Sequence, residues 1–188
     1  MLVAIVLGLV LLGLLALPIS IYNMLVARKN QVANIFGTID ALLKKRHDLI
    51  PNLVASVKEY MVHERELLTR ITEERARAIS GGISDAERMQ AEASVSRYLR
   101  GIMVAVENYP NLKANENFLQ LQAALNEVEE QISAARRAYN AAVTDYNNAV
   151  QMFPSNIFAG MMGLRPMPVL EIPEEERKPV DVGGLFRS

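Results

Sequence analysis

The chain has 188 residues, a formal net charge of −1 and no cysteine. These facts exclude a disulfide framework, a thiolate nucleophile and a Cys-based metal site, and they leave no overall basic field to attract nucleic acid. The only histidines are His47 and His63, too far apart for a local metal motif and too few for a three-histidine zinc site.

Hydrophobic residues make up 51% of the chain, with the excess gathered at the N-terminal end. Met1–Tyr22 carries no charged side chain. At 1.5 Å per residue it reaches about 33 Å, against a bilayer core of ~30 Å. The expectation is a transmembrane anchor over residues 1–22. A cleaved signal peptide would show a basic leading region and a small-x-small cleavage site. Here Arg28 and Lys29 follow the apolar run instead, and the positive-inside bias then places the remaining domain in the cytoplasm.

Apolar residues after Tyr22 recur every three to four positions, which predicts helices. The first stripe is Leu25, Val32, Ile35/Phe36, Ile39 and Leu42/Leu43. The second is Val54, Val57, Tyr60/Met61, Leu67/Leu68 and Ile71. The third is Met89, Leu99, Ile102/Met103 and Val106. The fourth runs Phe118, Leu121, Leu125, Val128, Ile132, Ala135, Tyr139, Ala142, Tyr146, Ala149, Phe153, a 3-4 alternation expected of a bundle seam. No convincing period-2 pattern appears. The predicted architecture is all-α: the anchor, an antiparallel four-helix bundle of long helices over 23–153, and an irregular Pro-rich tail over 154–188.

Punctuation supports these boundaries. Gly81-Gly82 suits a helix C-terminus, and Ser84 with Glu87 has capping-box spacing. Tyr109-Pro110-Asn111 breaks the chain, and Asn115 is a candidate N-cap for the last long helix. The stretch "KKRHDLIPNLV", Lys44 to Val54, admits two readings. One continuous helix over Ser20–Ile79 would reach about 90 Å and leave much of its stripe uncovered. A reversal near His47-Asp48 would give helices of matched length, with Asp48 as N-cap and Pro51 harmless in a first turn. We read a reversal rather than a kinked continuous helix, although no glycine lies in the stretch.

Residues suggestive of chemistry have plainer readings beside them. His47-Asp48 has no nucleophile in motif context and reads as a polar helix end. His63-Glu64 opens like a zincin motif, but Leu67 stands where the second histidine belongs. Lys44-Lys45-Arg46 reads as a solvated helix end, many Debye lengths of ~8 Å from any bilayer. Tyr139-Asn140 and Tyr146-Asn147 lie one heptad apart, placing both tyrosines on one face as core aromatics with each asparagine hydrogen-bonding a neighbouring helix. The tail segment "MFPSNIFAGMMGLRPMPVL" offers Phe153, Phe158, Met161 and Met162 without a helical period, for a membrane, the bundle or another subunit. Glu174-Glu175-Glu176 argues against deep membrane contact beyond it. No catalytic, cofactor-binding or metal-binding residues are identified, and an enzyme is not expected.

The chain resembles the LemA family of bacterial membrane proteins. The matching residues are Tyr22-Asn23, Ile39-Asp40, Lys45-Arg46, Asp48-Leu49-Ile50-Pro51-Asn52-Leu53-Val54, and Tyr60 with His63-Glu64. Further on come Tyr109-Pro110-Asn111-Leu112-Lys113-Ala114, Phe118, Glu129, Ile132, Arg136, Tyr139-Asn140, Val143 and Tyr146-Asn147. Phe36 stands where the family pattern has Trp. The resemblance implies a single-span inner-membrane protein with a cytoplasmic four-helix bundle, no established enzymatic activity, and relatives associated with magnetosome membranes. The functional expectation is a membrane-anchored scaffold that self-associates or recruits other membrane proteins. The alternative is a membrane-tethered sensor binding a small molecule or headgroup between helices near the tyrosines.

Overall fold

The structure is a computed structural model. It describes residues 1–170, except the side chains of Ala4, Val6, residues 9–15 and Asp85. The described residues form helices joined by turns, with an extended stretch at the end and without strands: α1 Leu2–Val57, α2 Arg65–Ile79, α3 Asp85–Val106, α4 Pro110–Lys113, α5 Glu116–Gln151 and α6 Ser155–Met161. Two compact units emerge, one from Met1–Ile39 with Ala134–Glu171, the other built on Asp40–Ser133.

In the second unit, α1 ends at Val57 and the chain turns through Lys58–Met61, with the Met61 amide donating to Val57 O at 2.9 Å. A short 3-10 turn, Val62–Glu64, leads into α2. α2 runs back along α1, so that Arg75 reaches the His47 carbonyl. The reversal into α3 uses Gly82 at φ 90°, a conformation that favours glycine because it has no Cβ. The capping box forms: Ser84 Oγ accepts from the Glu87 amide at 3.2 Å and the Ser84 amide donates to Glu87 Oε2 at 2.9 Å. That backbone donor, with the Ser84 hydroxyl, holds the Glu87 carboxyl below its ordinary value. α3 then runs alongside α1, pairing Arg88 with Asp40 at 3.0 Å. Asn115 caps α5 as expected, its Oδ1 accepting from the Phe118 amide at 3.1 Å.

These four segments close over one core. It contains Ile50, Leu53 and Val57 of α1, Leu68 and Ile71 of α2, Val95, Leu99, Ile102 and Val106 of α3, and Phe118 and Leu125 of α5. Met61 from the turn and Leu112 from α4 close its end. Burying each such side chain contributes about 1.5–3 kcal/mol.

In the first unit, α1 and α5 lie antiparallel. Arg28 pairs with Asp145 at 2.9 Å, and the Phe36 and Tyr139 rings meet at 6.0 Å. Leu25, Val32 and Ile39 are buried, as are Tyr139, Ala142, Val143, Tyr146 and Val150. Of the expected α5 seam, Tyr139, Ala142 and Tyr146 are buried here and Ala135 and Ala149 half-buried, whereas α5 stops at Gln151 and Phe153 is 80% exposed.

Four expectations do not hold. The chain does not reverse at His47-Asp48, since α1 continues through it to Val57. Asp48 is therefore no N-cap but an exposed mid-helix residue, 3.5 Å from Lys44 one turn earlier. Pro51 lies in a helix interior rather than a first turn. The tail is not irregular from residue 154: Ser155–Met161 forms α6, and the stretch after it is held on α5. The expectations for residues 171–188, including Glu174-Glu175-Glu176, lie outside the described residues. Among the described residues no helix is long and apolar enough to cross a membrane. The expected span includes side chains outside that description.

Candidate functional site

The block that begins "KKRHDLIP" places its chemistry inside the second unit. Leu43, Arg46, His47, Ile50 and Leu53 are buried on one face of α1, while Lys44, Lys45 and Asp48 face solvent. Arg46 is 0% exposed, so it is no solvated helix end. Its guanidinium Nη1 donates to Glu129 Oε1 and to Ser96 Oγ, both at 2.6 Å, and its Nη2 pairs with Glu92 Oε2. Ser96 Oγ in turn donates to Glu129 Oε2 at 3.1 Å. His47 Nε2 sits 2.9 Å from Glu92 Oε1. A carboxylate only accepts, so His47 carries its proton on Nε2 in this contact.

Burial pushes the Glu92 carboxyl up. The His47 hydrogen bond and the Arg46 and His47 charges together outweigh burial and hold it below its ordinary value. An ionised, enclosed carboxylate is sustained only by such partners. Arg46 Nε and His47 Nδ1 make no hydrogen bond among the described residues.

Pro51 completes this arrangement. A helical residue normally donates its N–H to the carbonyl four positions earlier, and proline has none to give. The acceptor left without its helical partner is His47 O. Arg75 Nε, from α2, donates to that oxygen at 2.6 Å. A helix-breaking residue thus exposes a carbonyl that a neighbouring helix uses as a docking point. The resulting cluster links α1 to α2, α3 and α5 through charge-assisted bonds.

The two Tyr-Asn pairs form the second site, in the first unit. After α6, Gly163 takes φ 65°; the Leu164 amide donates to Ala159 O and the Gly163 amide to Gly160 O, a Schellman motif that turns the chain back. Residues 164–170 then run antiparallel to α5. Asn147 Nδ2 donates to Met167 O at 2.9 Å while its Oδ1 accepts from the Met167 amide at 2.8 Å. Asn140 repeats the pattern on Leu170, again at 2.9 and 2.8 Å. Tyr146 donates its hydroxyl to Arg165 O at 3.1 Å, and burial raises its pKa. One heptad of helix rises about 10.5 Å, and three residues of extended chain span about 10 Å, so the two registers match. Sequence reasoning placed the tyrosines in the core and gave the asparagines a neighbour to bond. The neighbour is the tail rather than another helix.

Of the tail candidates, Phe153 and Met161 are exposed, and Phe158 and Met162 are half-buried. The sequence reading missed Arg46, His47, Arg75, Glu92, Ser96 and Glu129 as one cluster. Spacing would have found half of it: on a continuous α1, Arg46 and His47 fall on the Leu43–Ile50–Leu53 stripe. Two open clefts flank the second unit, one lined by Val54, Lys58, Leu68 and Thr72, the other by Asp40, Lys44, Arg75 and Arg88. Neither touches Tyr139 or Tyr146. No cluster of His, Asp or Glu suited to a metal occurs among the described residues.

The model of the LemA family matches residues 35–183. Protein LemA of Metamycoplasma hominis is 26% identical over 163 residues, covering 87% of this chain and 74% of that protein. Magnetosome protein MamQ 2 of Paramagnetospirillum magneticum is 21% identical over 192 residues, covering 89% and 71%. Magnetosome protein MamQ of Magnetospirillum gryphiswaldense is 19% identical over 169 residues, covering 77% and 62%.

Proposed function

The chain belongs to the LemA family, and from that premise we propose that it is a membrane-anchored helical scaffold that self-associates and organises a membrane surface. The observation that carries this reading is the division of labour along α1. Its charge-free beginning, Met1–Tyr22, includes Leu2, Val3, Ile5, Leu7, Leu17 and Ile19, all exposed. Its later part supplies the buried Leu25–Val57 face. Exposed large apolar side chains in such density call for a non-aqueous partner, and an uncharged run of about 33 Å suits a bilayer. The positive-inside bias supports a single-pass inner-membrane protein with its helical domain in the cytoplasm. Similarity to magnetosome proteins supports the membrane-organising part. Around α6, Met152, Phe153, Ile157 and Met161 add exposed apolar surface for lipid or for another membrane protein.

The mechanism is display: the anchor fixes orientation, the Arg46–Glu92–Glu129 cluster keeps its helices in register, and exposed faces supply contacts. No ligand or cofactor is required. The rival reading, a sensor with a pocket at the tyrosines, gains nothing from the packing there, because Tyr146 is enclosed and bonded to the tail. Alkaline carbonate extraction of cell membranes, followed by crosslinking in the intact membrane, tests the proposal. The expected result is a chain that stays in the pellet and yields dimers or larger species. Release into the supernatant, or monomers alone, would sink it.

A further inference from the structure

Asn140 and Asn147 treat the tail as a binding site treats a peptide. Each side-chain amide contacts both the N–H and the C=O of one tail residue, and Tyr146 adds a bond to a third carbonyl. All five bonds end on main-chain atoms. Bonds of this kind read an extended backbone and its register, not its side chains. The bound stretch, Leu164–Leu170, holds Pro166 and Pro168, which pre-set extended conformation and lower the ordering entropy. Neither proline falls at 167 or 170, the two positions where an N–H is needed.

We propose that Asn140, Tyr146 and Asn147 form a main-chain-reading site for an extended, proline-containing strand, and that residues 165–170 of a second copy of this chain exchange into it. Three observations favour a second copy as occupant. Every copy carries the same strand, so an exchanged strand remakes all five bonds. The strand leaves α6 through the single turn at Gly163, φ 65°, with open space where a side chain would stand. The outer side of the bound strand is open, with Val169 54% exposed. A tethered strand enjoys an effective concentration in the millimolar range, so exchange belongs to crowded copies, as on a membrane surface. This inference names a surface for the self-association proposed above and rests on that reading for the crowding of copies, while the site itself rests on the five bonds to the strand.

Complementation in full-length chains tests it. One variant, Asn140→Ala with Asn147→Ala, keeps its strand and loses its ladder. The other, Met167→Pro with Leu170→Pro, keeps its ladder and loses the two strand N–H groups. Differently tagged chains are co-expressed in membranes and recovered through one tag. The mixed pair should be recovered at least ten-fold better than either variant paired with itself. A synthetic peptide of residues 164–170 should compete, and the same peptide methylated on the amides of 167 and 170 should not. Equal recovery of all pairings would overturn this inference and leave self-association through another surface intact. No recovery in any pairing, with unmutated chains also failing to crosslink, would overturn both. Competition by the methylated peptide would show that side chains, not the backbone, are read. Circular dichroism checks that both variants keep their helix content; the single substitutions Asn147→Ala and Met167→Pro replace them if either does not.

Discussion

The contact between Arg75 and the His47 carbonyl makes a quantitative prediction, because two substitutions act on the same oxygen. Arg75→Ala removes the side-chain donor to His47 O. The bond is short, 2.6 Å, partly buried and charge-assisted, so its loss should cost about 1.5–3 kcal/mol. Pro51→Ala restores the missing helical N–H. Proline in a helix interior costs about 3 kcal/mol, and a fold that already accommodates it should regain roughly 1–3 kcal/mol. In that background His47 O has a helical partner whether or not Arg75 is present. Arg75→Ala should then cost only about 0.5–1 kcal/mol, leaving the typical net value of one hydrogen bond. The coupling between the two positions is thus about 1–2 kcal/mol. Thermal and urea unfolding of the four chains of the cycle, followed by circular dichroism in one buffer, measures it. Additivity within about 0.5 kcal/mol, the behaviour of independent sites, would refute the idea that Pro51 frees the carbonyl Arg75 uses.

Glu92→Ala takes from the buried Arg46 one of its two carboxylates, Glu129 remaining, and should destabilise the second unit by about 1.5–3 kcal/mol, read as a fall in unfolding midpoint. Glu92 also sets an acid limit. Its folded pKa lies below the ordinary carboxylate value, so its contribution is present in full above that ordinary value and lost as pH falls through the lower folded one. A Glu92→Gln chain should lose less stability over that acid range than the unmutated chain, measured by unfolding midpoints at stepped pH. Asn140→Ala with Asn147→Ala should abolish hydrogen-exchange protection at the Met167 and Leu170 amides and leave that at Leu125 unchanged. Leu125→Ala, in the core of the second unit, should cost about 2–5 kcal/mol, seen in the same unfolding assay.

Much of the fold was legible before any coordinates. The 3-4 spacing placed Phe118, Leu125, Val128, Ile132, Tyr139, Ala142 and Tyr146 on one buried seam, and they are buried. Ser84 and Asn115 were readable as caps because capping chemistry is local. What misled was Pro51. A proline in a helical pattern is ordinarily a boundary, because it removes a donor and crowds a carbonyl. That rule assumes the freed carbonyl finds no other partner. Arg75, twenty-eight residues away in sequence from His47, supplies one, and nothing local in the chain announces it. The same error hid the polar cluster. Once the helix was broken at His47, Arg46 fell on a solvated end instead of a buried face.

The tail shows the opposite case. Its apolar composition was plain, but its placement depended on Gly163 reversing the chain and on a register match between a helix heptad and three extended residues. Periodicity, caps and the charge-free first residues of this protein are properties of short windows and can be read from the chain alone. Whether Pro51 ends a helix, whether Arg46 is solvated, and what Asn140 and Asn147 bond were decided only in the tertiary structure. Each of those outcomes rests on a hydrogen-bond partner far away in the chain, and a buried polar group takes the conformation in which such a partner is found.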